Sequence, residues 1–195
     1  MPDVKEHLHG KLKASRAGLM SRLDDLSEYD LRRPMTPTGT NLLGLVKHLA
    51  GLEYGYLGES FGYPAPETMS WIEDGSIWQA ADMWAKPSES SEYITGLYRR
   101  ACAHADGVIA ALSLDSPGTV PHWPESRRQV TLGFMLIRMV AETAQHAGHA
   151  DIIRELIDGK GGPDQDSADA ATWRDYLAQV QAAADTFAAP TAGDG

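Results

Sequence analysis

The stretch Met139-Val-Ala-Glu142-Thr-Ala-Gln-His146-Ala-Gly-His149-Ala-Asp151 sits inside a long run whose apolar residues recur every three or four positions. At about 100° per residue, Leu132, Met135, Met139, His146, Ala150, Ile153 and Ile157 share one stripe of a helix. The run starts at Val130 or Thr131 and continues to Asp158, where Gly159, Gly161 and Gly162 end it. His146 therefore faces a core, with Glu142 at the edge of the same stripe. An ionised carboxylate close to a helical interior is costly unless a cation or a donor meets it.

Three further helical patterns precede this one. The first runs from Val4 to Leu26 on Leu8, Leu12, Leu19, Leu23 and Leu26, and is broken by Pro34, Pro37 and Gly39. The second opens at Thr40 or Asn41, both good N-caps, and carries Leu42, Leu45, Val46, Leu49, Leu52 and Tyr56. The third opens at Ser90 or Ser91 and carries Ile94, Leu97, Tyr98, Ala101, Ala105, Val108, Ile109 and Leu112. Between them lie two Pro-rich connectors, Gly58 to Ser88 and Ser113 to Gln129. Strand signals are nearly absent. The pattern predicts an all-α four-helix bundle over residues 1–160, with sites built from side chains on facing helices. Residues 161–195 read as an extension with a short helix near Ala170 to Ala184, anchored by Trp173, Tyr176 and Leu177, and a frayed tail.

With 195 residues, 43% of them hydrophobic, the chain can bury a core without staples. Its 17 Lys+Arg and 27 Asp+Glu give a formal charge of −10, which argues against nucleic acid or an anionic membrane as partner. A single cysteine, Cys102, excludes an intramolecular disulfide framework and a Cys-rich zinc site, and suits a reducing cytoplasm. No apolar run approaches the roughly 20 residues of a membrane span, and residues 1–18 lack the apolar stretch of a signal peptide.

Glu142 and His146 are four apart, so on a helix both side chains reach one point. A carboxylate oxygen and an imidazole nitrogen there make half a site for Zn²⁺ or a similar divalent ion. His48, in Leu45-Val-Lys-His48-Leu-Ala-Gly-Leu52-Glu53, flanks the apolar face of the second helix and supplies a candidate third ligand. Such a three-ligand set would leave positions open for a substrate. The plainer alternative pairs Glu142 with Arg138 at the surface and leaves His146 as a hydrogen-bonded core histidine.

Two phrases together resemble the DinB-like superfamily. They are Gly44-Leu-Val-Lys-His48-Leu-Ala-Gly-Leu-Glu53 and Glu142-Thr-Ala-Gln-His146-Ala-Gly-His149-Ala-Asp151-Ile-Ile-Arg154-Glu-Leu-Ile-Asp-Gly159. More narrowly they are similar to its mini-circle-protein branch and to mycothiol-dependent maleylpyruvate isomerase. The resemblance implies a four-helix bundle holding a divalent metal on His48, Glu142 and His146, with Zn²⁺ favoured and Ni²⁺ also suited. It further implies a low-molecular-weight thiol such as mycothiol as co-substrate, a small electrophile as substrate, and a homodimer. The expected activity is S-transfer, thiol-assisted isomerisation or hydrolysis. The alternative is a non-catalytic, stress-related metal-binding dimer.

Much of the superfamily has His-Arg-Gly-Gln where this chain reads His146-Ala-Gly-His149, so His149 takes the place of a polar non-ligand. It is a candidate catalytic acid/base, a fourth ligand or a donor to Glu142. Glu53 falls on the apolar stripe of the second helix and reads either as a buried acid paired with an arginine such as Arg154, or as a carboxylate orienting a ligand histidine. Cys102 reads as a small buried residue. His7, His9 and His122 read as solvated, with His122 and Trp123 candidates for a pocket mouth. Trp71, Trp78 and Trp84 read either as closing one end of the bundle or as walling a substrate pocket. Arg127, Arg128 and Arg138 are candidate anion donors to a carboxylate-bearing substrate or thiol.

Overall fold

Each long helix begins on a side-chain oxygen that satisfies an otherwise unpaired backbone N–H. In the computed structural model, which describes residues 3–160 and 168–188, helix α1 (Val4–Ser21) opens on a reciprocal capping box between Asp3 and Glu6. Helix α2 is a short turn (Glu28–Arg32) capped by Ser27. Helix α3 (Leu42–Leu57) is capped by Asn41, whose side chain accepts from the Gly44 N–H at 2.8 Å. A short helix α4 (Ser70–Glu73) follows in the first connector, flanked by single 3₁₀ turns at Glu59–Phe61 and Ser76–Gln79. Helix α5 (Ser91–Ala111) starts at the Ser90 cap. Strands β1 (Pro117–Thr119) and β2 (Gln129–Thr131) then pair antiparallel, Gly118 opposite Val130. Helix α6 (Leu132–Asp158) is capped by Thr131 and ends at Gly159 in the left-handed region, φ 77°. Helix α7 (Ala170–Asp185) closes the described chain.

The chain divides into two compact units, Met1–Lys160 and Gly161–Gly195. In the first, α1 lies against α6, α3 against α5, and α3 also meets α6, which gives an all-α four-helix bundle. Leu12, Leu19, Leu42, Leu45, Leu49, Ile94, Leu97, Leu132, Met135 and Met139 are fully buried in it. Among the described residues, no helix is long and apolar enough to cross a membrane.

Three local expectations change. The first helix stops at Ser21, not Leu26: Arg22 and Leu23 donate to carbonyls three residues back, and Asp25 then adopts a left-handed φ of 61°. The Arg154 guanidinium then takes the released carbonyls of Arg22 and Asp24 at 2.9 and 2.6 Å. The second connector contains the β1–β2 ribbon, too short to show an alternating pattern and carrying a proline and a glycine. A Cβ on Gly118 would lie 2.7 Å from the Ser60 carbonyl oxygen, so only glycine lets the ribbon pack there. On α7 the helix runs to Asp185, one residue past the expected end, and Trp173 meets Tyr176 edge-on. Gly161, Gly162 and the tail from Ala189 lie outside the described residues.

Candidate metal centre

The first turns of α3 hold the end of the first connector. Asn41 Nδ2 donates to the Met83 carbonyl at 3.1 Å, and Gly44 lets that carbonyl come where a Cβ would stand only 1.9 Å away. One turn on, the fully buried Lys47 donates to the Ala81 carbonyl at 2.9 Å, the Trp84 carbonyl at 3.0 Å and Glu89 Oε2 at 2.8 Å. Its ammonium also lies 4.3 Å from the ring centre of the buried Trp71, a cation–π contact. Burial pushes the Lys47 pKa down, and the Glu89 carboxylate opposes that shift.

These contacts place Asp82, between two of the gripped carbonyls, against the next residue of α3. The buried Asp82 and His48 share a hydrogen bond, Nδ1 to Oδ2, at 2.6 Å. With Nδ1–H donating to the carboxylate, the lone pair of His48 lies on Nε2. That atom is 3.9 Å from Glu142 Oε1, and His146 Nε2 is 3.7 Å from the same oxygen. The two imidazoles stand nearly perpendicular, 79° apart, with ring centres separated by 5.2 Å. One donor atom from each of His48, Glu142 and His146 lies within 4.8 Å of the others.

Two imidazole nitrogens and one carboxylate oxygen, partly buried at facing points of α3 and α6, are compatible with a divalent cation. Burial lowers the pKa of His146, the neighbouring His48 lowers it further, and Glu142 opposes the shift. The net direction favours the neutral imidazole, the form a metal needs. Arg138 does approach Glu142, at 3.9 Å, but from the side of Oε2, while Oε1 faces the histidines. The surface-pair alternative thus coexists with the cluster.

His149 is exposed and lies outside this three-residue group. Its partner is His146, Nδ1 to Nδ1 at 3.4 Å, and not Glu142. Asp82 escaped the sequence reading: an aspartate in an irregular connector carries no periodic signal, and only a search for a carboxylate behind His48 would have found it.

Elsewhere, Glu53 is fully buried and paired with an arginine, but the arginine is Arg16 and not Arg154. Arg16 donates to both Glu53 oxygens, at 2.7 and 2.6 Å, and to Asp106 at 2.6 Å. Arg154 is committed to Asp158 and to the end of α1. Cys102 has its thiol pushed up to about 12 by burial, which makes it a poor nucleophile. His9 is not simply solvated, since its Nε2 meets Asp106 at 2.7 Å. Trp71 belongs to the core, whereas Trp78 and Trp84 are exposed, Trp78 with its ring 5.9 Å from that of His122.

Comparison with known proteins fits this architecture. No curated protein matches the chain. A solved structure of a conserved protein from Enterococcus faecalis is similar in fold, with a TM-score of 0.62 at 12% identity over 82% of this chain and 100% of that one. The family model for mycothiol-S-transferase matches residues 7–159, which takes in α1 to α6 and all three clustered residues. The chain belongs to the mycothiol-S-transferase family.

Proposed function

We propose that the protein is a metal-dependent S-transferase that joins a low-molecular-weight thiol, mycothiol or one like it, to a small electrophile. The observation that carries this reading is the approach of donor atoms from His48, Glu142 and His146 to within 4.8 Å of one another. The family match supports the thiol half of it.

A bound divalent ion, Zn²⁺ by the chemistry of the donor set, would lower the pKa of a contacting thiol so that thiolate exists near neutral pH. His48 and His146 contribute neutral nitrogens, and Glu142 supplies one balancing negative charge. Asp82 fixes the tautomer of His48 through the Nδ1 bond. His149 lies beside His146, Nδ1 to Nδ1 at 3.4 Å. Its exposed ring also has the solvent access needed to pass the thiol proton to water. In the reaction the sulfur forms a bond to the electrophilic carbon as the leaving group departs with its electron pair.

The test compares wild type with His48→Ala in thiol transfer to a generic electrophile. Loss of at least 100-fold in rate supports the reading, a drop within the range seen when a catalytic group is removed. Transfer indifferent to the substitution overturns the metal-dependent reading, and absence of transfer by either protein leaves a non-catalytic bundle.

A further inference from the structure

One helical turn before Glu142, about 6 Å along the α6 axis, Arg138 lays its guanidinium against the edge-on ring pair of Tyr56 and Trp123. Its central carbon is 5.2 Å from the ring centre of Tyr56 and 5.2 Å from that of Trp123. These cation–π contacts hold the guanidinium against the rings. Among the described residues its Nε has no hydrogen-bond partner, and its Nη2 lies 3.9 Å from Glu142 Oε2. The half-exposed end of the guanidinium keeps N–H groups free to meet a planar anion such as a carboxylate.

Next to it is an open cleft of about 920 Å³, within the size range of small-molecule sites. Arg138, Arg127, Trp123, Phe134 and Gln129 are among its lining residues, and among the described residues no acidic side chain lines it. On a chain of net charge −10, a cleft with two arginines and no carboxylate runs against the overall balance. The third arginine of the region, Arg128, is instead paired with Glu125 at 3.0 Å.

We infer that this cleft binds a carboxylate group carried by the electrophile, with Arg138 and Arg127 as donors and Trp123 and Phe134 as the apolar wall. The assignment to the electrophile rests on the proposed S-transferase function. Mycothiol has its cysteine carboxyl tied up as an amide and so offers no carboxylate of its own. Arg138 stands one turn of α6 from Glu142, so a carboxylate held there is about 6 Å along the helix axis from the cluster. The cleft thereby selects anionic electrophiles over neutral ones.

Two measurements test this separately from the transfer activity. Binding of unreactive 4-methylbenzoate and 4-methylbenzamide to the protein without thiol is followed by ligand-observed NMR. The carboxylate is expected to bind about tenfold more tightly than the amide, and Arg138→Gln is expected to abolish the difference. Equal affinity for the two probes overturns the inference. If Arg138→Gln fails to fold, Arg127→Gln, on the exposed connector, decides: a threefold or greater loss for the carboxylate alone supports the site, and unchanged binding overturns it. In the second measurement the thiol reacts with 4-(chloromethyl)benzoate or its methyl ester, forming the S–C bond as chloride leaves and the thiol proton passes to solvent. Arg138→Gln is expected to raise KM about tenfold more for the acid than for the ester, and an equal change for the two overturns the inference. Absence of transfer to both electrophiles overturns the S-transferase reading, while the NMR comparison still decides the carboxylate site.

Discussion

His48 presents its Nε2 to Glu142 and His146 because Asp82 holds the opposite nitrogen at 2.6 Å. Removing the negative charge of Asp82 while keeping its shape removes that control. Asp82→Asn is expected to weaken zinc affinity 10- to 100-fold with the far-ultraviolet circular dichroism unchanged, as measured by competition with a chromophoric chelator. Unaltered affinity would mean that the aspartate serves only the connector.

Lys47 secures the same connector from below. Its ammonium holds two backbone carbonyls and Glu89 in a fully buried position. Lys47→Met leaves Glu89 with less compensation in the interior, and one-sided removal of a buried ion pair costs about 3–5 kcal/mol. Urea unfolding should register a loss of that order. Zinc affinity should fall as well, because Asp82 lies between the residues that Lys47 grips. A stability loss without any change in affinity would separate the lysine from the cluster.

Glu53 distinguishes scaffold from site. Both its oxygens are taken by Arg16, so Glu53→Gln should lower stability by about 3 kcal/mol and leave zinc affinity within twofold of wild type. A large loss of affinity with intact stability would restore the other reading, in which this carboxylate orients a ligand histidine.

The pH response of His146 follows from its surroundings. Its pKa lies below the ordinary 6.5 in the folded metal-free protein, chiefly through burial. The unfolded chain therefore binds more protons at this residue as pH drops below 6.5, and folded stability falls across that window. An NMR titration of the His146 ring should show a midpoint below 6.5. The stability of His146→Gln relative to wild type should improve as the pH is lowered through the same range. A midpoint at or above 6.5 contradicts the buried environment.

Much of the bundle was legible because its signals are local. Asn41 and Ser90 each stood in a pair of cap candidates, Thr131 was one of two readable helix starts, and the stripe from Leu132 to Ile157 showed which side of α6 meets the core. The Glu142–His146 half of the cluster follows from one helical turn. His48 is different, since its approach depends on how α3 packs on α6, and the chain carries that only through its family resemblance. Asp82 and the Arg16 partner of Glu53 were not legible. Each is a contact between segments more than 30 positions apart, set by where an irregular connector or the level of α1 happens to lie. The early stop of α1 was hidden for a similar reason: the leucine periodicity continues past Ser21, and it is distant Arg154 that makes the released carbonyls tolerable.

X-ray absorption at the zinc edge of the loaded protein tests the central claim most directly. One zinc per chain is expected, with two imidazole nitrogens at about 2.0–2.1 Å and a carboxylate oxygen, and with no sulfur in the absence of thiol. In His48→Ala one imidazole should be lost from the spectrum. A wild-type protein that retains no zinc, or a spectrum that keeps both imidazoles when His48 is replaced, would contradict the account.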